Sequence, residues 1–215
     1  MRVVALLMLG ACSVAQAAPD SPEEGLFAPT RTVEGRSFAL AGAGARKGDA
    51  GKQYDLAIYV DEIDARRAFP ALVARAGGKT RAKLLNGEHA QGFVVWGHFA
   101  KLAVFHFARA LEADAWKTPI KDGLDAELGE KASPELHKQA EALLALFDHD
   151  VQEGQDLYLR TDGEGHIEVE FVGQKKQGPQ SPKLARALWS VWLGAKPISK
   201  ELSRALVEKV DLLGR

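Results

Sequence analysis

The sequence predicts an α+β fold in which a large antiparallel β-sheet is packed on one face by helices. Strand patterns dominate the first half of the 215 residues, and helical patterns gather in the second half. A hairpin signal joins two strands, and strands do not alternate with helices as they do in βαβ folds. This grouping is typical of an antiparallel sheet that carries its helices on one side.

The first half of the chain supplies most of the predicted strands. Residues Lys52–Val60 alternate with the two-residue period of a strand. A helix is predicted over Asp64–Gly77, and Pro70 is expected to open its main part because proline suits a first helical turn. The stretch Phe93–Phe107 reads as a long β-structure that Gly97 bends or divides.

The second half supplies most of the helices and the hairpin. The sequence Thr-Asp-Gly-Glu-Gly separates two alternating segments and is a hairpin signal. Neither an internal repeat nor a linker is evident, so we expect one domain over residues 37–213. The predicted elements are helices at Asp114–Leu128 and Ser133–Phe147, strands at Leu157–Arg160 and His166–Val172, and helices at Ser181–Leu193 and Ser199–Leu213.

The N-terminal segment reads as an export signal. Arg2 gives a positive end, Val3–Leu9 is apolar, and Ala15-Gln16-Ala17 fits signal peptidase. We therefore expect residues 1–18 to be a signal peptide. A competing interpretation is a lipoprotein anchored through Cys12, because Leu9-Gly10-Ala11-Cys12 resembles a lipobox. No segment is long and apolar enough to span a bilayer.

Composition and motifs argue against several classes of function. With 46% hydrophobic and 27% charged residues the chain is globular, and a net charge of −1 gives no basic face for nucleic acid or membrane phosphates. The six histidines show no i, i+4 pair, so we expect no metal site. The glycines around Gly42 and Gly44 lack the helix of a dinucleotide loop, so we expect no cofactor.

Arg46 and Tyr54 are the candidate polar residues that spacing suggests. We expect two neighbouring antiparallel strands to bring this guanidinium and this phenol to one pocket. An arginine fork binds a carboxylate or phenolate through two hydrogen bonds, and a tyrosine adds another donor. The competing interpretation is a surface arginine paired with Asp49 or Asp61.

Two motifs resemble the chalcone isomerase-like family, and in particular its exported bacterial members. Leu-Ala-Gly-Ala-Gly-Ala-Arg46 with Tyr54-Asp-Leu-Ala-Ile-Tyr-Val resembles the start of that fold, and Trp189-Ser-Val-Trp-Leu-Gly with Lys-Pro-Ile-Ser199 resembles its C-terminal helices. The resemblance implies a large antiparallel sheet, helices, and a cleft between them. It also implies a periplasmic location. The family includes plant isomerases that close a chalcone to a flavanone, fatty-acid-binding relatives and non-catalytic proteins.

The resemblance also implies site residues. Arg46 matches the arginine that holds the substrate oxyanion, and Tyr54 stands where the isomerases have a threonine. Trp116, Gly123 and Ala185 stand where the isomerases have a tyrosine, an asparagine, and a serine or threonine. One of five polar positions is therefore kept, which argues against chalcone cyclisation because those groups orient the substrate and stabilise developing charge.

Three hypotheses follow. The first is a binder of a small amphipathic carboxylate, such as a fatty acid, with Arg46, Tyr54 and Trp116 as ligand-binding residues and no catalytic residue. The second is an isomerase of the intramolecular lyase type on another substrate, with His106 or Asp55 as acid or base. The third is a structural or interaction protein whose tryptophans fill the cleft. Protein partners are not indicated by the sequence.

Overall fold

The computed structural model describes Pro22, residues 25–86 and residues 88–215. The predicted signal peptide, residues 1–18, and Cys12 lie outside the described residues. A seven-stranded sheet is the centre of the fold, and its strand order follows the chain order with every neighbouring pair antiparallel. The strands are β1 (Thr30–Val33), β2 (Arg36–Gly48), β3 (Gly51–Asp61), β4 (Lys101–Phe107), β5 (Asp156–Thr161), β6 (Ile167–Phe171) and β7 (Gln174–Gln177).

Helices cover one face of this sheet, which confirms the predicted α+β class. Ser133, Ser181 and Ser199 cap three of them, each accepting a hydrogen bond from a backbone N–H of the first turn. The helices are α1 (Glu62–Ala76), α2 (Arg81–Leu84), α3 (His89–Trp96), α4 (Ala113–Leu128), α5 (Pro134–Leu144), α6 (Pro182–Leu193) and α7 (Lys200–Ala205), followed by a 3₁₀ helix at Val210–Gly214.

The main core lies between the sheet and the helices. On β3, Tyr54, Leu56 and Ile58 face this core, whereas Ala57 and Tyr59 belong to a smaller cluster on the other face. The alternation is the one expected of a strand, in which successive side chains point to opposite faces. The alternation predicted for Lys52–Val60 is thus confirmed.

Small residues on β2 let α7 pack directly on the sheet. A Cβ atom at Gly42 would overlap the Ala205 carbonyl, and one at Gly44 would lie 2.8 Å from the Ala205 Cβ. The ladder between β2 and β3 is irregular at Ala41, and the freed Ala41 carbonyl accepts a 2.7 Å hydrogen bond from the Lys209 N–H. The glycines therefore position α7 beside the end of β2.

The prediction of one long β-stretch over Phe93–Phe107 is wrong in its first part. Phe93–Trp96 ends α3, Gly97 is the C-cap, and the strand begins only at Lys101. Helix α3 is buried on most sides, so its sequence shows no polar stripe and cannot be told from a buried strand by periodicity.

Two helix boundaries also differ from the prediction. Asp61 accepts a hydrogen bond from the Asp64 N–H and begins α1, so Pro70 lies inside this helix and does not open it. The predicted helix Ser199–Leu213 ends at Ala205, because the backbone turns there to reach the Ala41 carbonyl, and only a 3₁₀ turn follows. Within the described residues no helix is both long and apolar enough to cross a membrane.

Candidate functional site

The β2–β3 hairpin brings Arg46 and Tyr54 together as directly opposite residues. A register shift follows between Arg46 and Lys47. Because the two residues pair across the strands, their side chains lie on the same face of the sheet. That face is the one covered by the helices, since Tyr54 belongs to the main core.

Arg46 borders a cleft of about 350 Å³ between the end of β2 and α7. Its Nε atom is buried and has no hydrogen-bond partner. No carboxylate of the described residues pairs with Arg46, and Asp61, one of the partners considered above, lies 3.8 Å from Arg36 instead. The cleft is lined by Ala45, Arg46, Lys47, Ser199, Glu201, Leu202 and Ala205.

Tyr54 is buried next to this cleft. Burial raises the pKa of its hydroxyl to about 12, against smaller opposing effects of the Trp192 indole and the Arg46 guanidinium. A phenol with this pKa remains protonated at neutral pH and can donate a hydrogen bond. Its ring packs edge-on against Phe105 and Phe107, with centroids 5.3 and 6.0 Å away.

Trp192 is a polar group of the site that sequence reasoning missed. Its indole nitrogen is near enough to lower the pKa of Tyr54, yet it completes no hydrogen bond and is buried. The neighbouring Trp189, by contrast, donates to the Thr161 hydroxyl at 2.8 Å. The two tryptophans share one spacing pattern, so no sequence signal separates the satisfied indole from the unsatisfied one.

Trp116 lies in the aromatic core beyond Tyr54. It packs edge-on against Phe107 and Phe147, with centroids 5.5 and 5.4 Å away. Its indole N–H donates to the His149 carbonyl at 3.2 Å. Trp116 does not line the Arg46 cleft; Phe107 connects it to Tyr54.

His106 and Asp55 lie on the other face of the sheet. They are cross-strand partners, and each alternates with core-facing neighbours such as Tyr54. The imidazole lies 2.8 Å from Asp156, and the Asp55 carboxylate pairs with Lys52 at 2.7 Å. The structure thus keeps these two candidate acid–base groups away from Arg46.

Glu201 is the acidic side chain that does line the cleft. Its own backbone N–H and the Ser199 hydroxyl, which donates at 3.2 Å, hold the pKa of this carboxyl below its usual value. A carboxylate with a lowered pKa is a weak general base at neutral pH. Among the described residues no group of three or more histidine, cysteine, aspartate or glutamate side chains could hold a metal ion.

The two remaining positions of the resemblance have structural explanations. A Cβ atom at Gly123 would lie 2.9 Å from a methyl group of Val191, so α4 and α6 touch where the isomerases carry an asparagine. Ala185 lies elsewhere on α6, beside a small cavity near Lys101 and Thr161. Neither position supplies a polar group to the Arg46 cleft.

Comparisons with known proteins agree with this architecture. The sequence profile of a family described as chalcone isomerase-like matches residues 89–208. The crystal structure of a fatty-acid binding protein from Arabidopsis thaliana is similar in fold, with a TM-score of 0.71 and 13% identity over 87% of this chain and 94% of that chain. No curated protein sequence matches this chain.

Proposed function

The chain belongs to the chalcone isomerase-like family, and on this premise we propose that it binds a small amphipathic carboxylate, such as a fatty acid. Arg46 acts as the anion clamp. The observation that carries the proposal is that Arg46 lines a cleft and pairs with no carboxylate of the described residues, while its buried Nε atom has no acceptor. A buried charged donor without an acceptor is costly, and a carboxylate in the cleft removes that cost.

Two further donors support an anionic ligand. The Tyr54 hydroxyl stays protonated at neutral pH, and the Trp192 N–H lacks an acceptor. The Trp192 indole and the Arg46 guanidinium both lie close enough to the Tyr54 hydroxyl to lower its pKa. Arg46 lines the cleft and donates directly to a carboxylate there, whereas Tyr54 and Trp192 are 2% and 1% exposed and lie behind it, outside the lining of the cleft.

The apolar part of the ligand rests on the aliphatic wall of the cleft in this proposal. Ala45, Leu202 and Ala205 supply the aliphatic wall of the cleft. Trp116 does not line the cleft and supports Tyr54 from behind through Phe107, as the next ring of the aromatic row. The fatty-acid binding protein that shares this fold supports the choice of a fatty acid over other carboxylates.

A non-catalytic role is favoured by the surroundings of Arg46. His106 and Asp55 face away from it, and Glu201 is held as a weak base by its lowered pKa. An isomerase needs an acid or base that transfers a proton at the reacting atoms. We therefore propose a binding protein that the predicted signal peptide exports to the periplasm, with lipid anchoring through Cys12 as the alternative route.

Mass spectrometry of small molecules extracted from the purified protein tests the proposal. We expect a near-stoichiometric fatty acid in the extract of the wild-type protein and much less in that of Arg46→Ala. An empty extract, together with no binding of added palmitate or oleate, would overturn the proposed function and favour a scaffold with no ligand.

A further inference from the structure

Trp96, the last residue of α3, is the one tryptophan of the four that faces solvent. Its side chain is 58% exposed, whereas Trp116, Trp189 and Trp192 are 2%, 0% and 1% exposed. It borders a groove of about 240 Å³ between α1 and α3. The other lining residues are Ala68, Ala71, Leu72, Arg75, His89, Gly92, Phe93, Gly97 and His98.

The polar side chains that line this groove are basic, whereas Asp162 borders the small cavity on the other side of Trp96. Arg75, His89 and His98 line the groove, and no acidic side chain does. The Arg186 guanidinium lies over the Trp96 ring, 5.2 Å from its centre. In the part of the chain that the structure describes, neither Arg75 nor Arg186 forms an ion pair. The Trp96 patch is the name used below for Trp96, Arg75, His89, His98 and Arg186.

The charge of the chain is unevenly distributed around this patch. Residues 62–101, which contain α1, α2 and α3, hold seven lysines and arginines against three acidic residues. The remaining residues hold 21 against 26. The segment therefore has an excess of four positive charges, although Arg66, Arg67 and Arg81 are in ion pairs.

We propose that the Trp96 patch binds the surface of an anionic phospholipid membrane. An indole with an apolar body and a polar N–H is suited to the headgroup level of a bilayer, and nearby arginines attract anionic lipids. A stable protein–protein interface buries about 800 Å² on each partner. One exposed tryptophan over a small groove offers less apolar surface than such an interface needs, so the proposal assigns the patch to a membrane and not to a large protein partner.

This surface is separate from the proposed ligand site. Tyr54, the partner of Arg46, pairs with Phe107 at one end of β4, whereas Lys101 at the other end pairs with Val60. Trp96 precedes Lys101 by a short loop. The patch and the Arg46 cleft thus lie near opposite ends of the same strands, and the membrane proposal does not depend on the ligand.

Tryptophan fluorescence tests the proposal, because the exposed Trp96 dominates quenching by iodide. Vesicles of phosphatidylglycerol and phosphatidylcholine in equal parts are added to the purified protein, with pure phosphatidylcholine vesicles in a parallel titration. We expect a blue shift and protection from iodide with the anionic vesicles only, and weaker binding at high salt because the charges are screened.

A pair of double variants with equal net charge supplies the control. Arg75→Glu with Arg186→Glu is expected to weaken vesicle binding at least tenfold, and Trp96→Ala is expected to abolish the blue shift. Lys138→Glu with Lys196→Glu changes two exposed lysines elsewhere and is expected to leave binding within twofold. Arg46→Ala is also expected to leave it unchanged, which separates this test from that of the ligand site.

Several outcomes would overturn the proposal. The first is that the protein does not bind anionic vesicles. The second is that both double variants lose vesicle binding equally. The third is that iodide still quenches Trp96 in the vesicle-bound protein. Protection of Trp96 by a soluble acidic peptide such as polyglutamate, without vesicle binding, would assign the patch to a protein partner instead.

Discussion

Arg46 and Tyr54 face each other across β2 and β3, and the Gly48–Gly51 pair closes the same hairpin a few residues away. The two side chains are therefore positioned by one local turn and not by the assembly of distant segments. Trp192, on α6, joins them only when the helices pack on the sheet. The three hydrogen-bond donors Arg46, Tyr54 and Trp192 thus combine a pair that is local in sequence with one residue that is distant in sequence.

Replacing Arg46 tests the clamp. Arg46→Ala removes a charged donor, and hydrogen bonds to charged groups contribute about 1.5–3 kcal/mol. We expect the Kd for a fatty acid to rise about 10- to 100-fold, measured by calorimetric titration. Arg109→Ala is the control, because within the described residues Arg109 donates to the Ala50 carbonyl near the same hairpin and does not line the cleft. An equal rise of the Kd in the two variants would contradict the proposed role of Arg46 as the anion clamp.

The two buried tryptophans of α6 form a matched pair. Trp192→Phe removes an N–H without a protein partner, so we expect weaker fatty-acid binding, by about fivefold, with little change in unfolding free energy. Trp189→Phe removes the donor to Thr161, so we expect a loss of about 1–2 kcal/mol in stability and unchanged binding. Denaturant unfolding and ligand titration measure both, and the reverse pattern would exclude Trp192 from the site.

Glu201 lies at the cleft as a negative charge that repels an anionic ligand. Glu201→Gln removes this charge and keeps the size of the side chain, so we expect a twofold to fivefold lower Kd at low salt and a smaller gain at high salt. Titrations at two salt concentrations measure the change. A loss of turnover of some substrate in this variant would instead indicate catalysis by Glu201.

Gly123 tests the contact between α4 and α6. Gly123→Asn places a side chain against Val191, where a Cβ already lies at 2.9 Å, and overpacking costs about 1–3 kcal/mol. We expect lower stability that Val191→Ala partly restores. Gly92→Ala on α3 is the control, because its Cβ has ordinary space, 3.9 Å from Trp96, and alanine favours helix. Unchanged stability of Gly123→Asn would contradict this explanation of the lost asparagine.

Lys101 gives a pH dependence. Burial, and then the charge of Arg186, lowers the pKa of this amine from 10.5 to about 8. Between these values the unfolded chain holds a proton that the folded protein releases, so stability rises with pH from about 8 to 10.5 and is constant below that range. The total change is about 3 kcal/mol.

Comparison with Lys101→Met isolates this effect. The amine donates to the Gly97 carbonyl at 2.7 Å, and the methionine removes both the bond and the titration. We expect the wild-type unfolding free energy to rise relative to that of the variant as pH increases through the range. If the unfolding free energies of the two proteins changed in parallel with pH, the pKa of Lys101 would not be lowered in the folded protein.

Much of the fold can be predicted from local sequence patterns. The alternation of Lys52–Val60 and the serine caps at Ser133 and Ser181 lead to the observed strand and helices. Helix α3 does not follow from the sequence, because Phe93, Val94 and Val95 are all buried. Burial from several sides removes the polar stripe that distinguishes a helix.

The candidate site divides in the same way. Arg46 and Tyr54 could be placed side by side because one hairpin pairs them. The sequence could not predict that the Trp192 N–H lacks a hydrogen-bond partner, since this depends on how α6 packs on β3. The location of His106 on the other face follows from strand register, which a single-residue shift would reverse.

In the part of the chain that the structure describes, β1 and β7 are the edge strands of the sheet, and each has a row of backbone groups without a strand beside it. Both strands have only four residues, and β7 reads Gln-Lys-Lys-Gln. Short edges with lysines discourage the addition of a strand from another molecule. The short length of both edge strands and the lysines of β7 therefore disfavour fibrillar aggregation of a concentrated solution of the protein, and we expect replacement of Lys175 and Lys176 by valine to weaken this protection at β7.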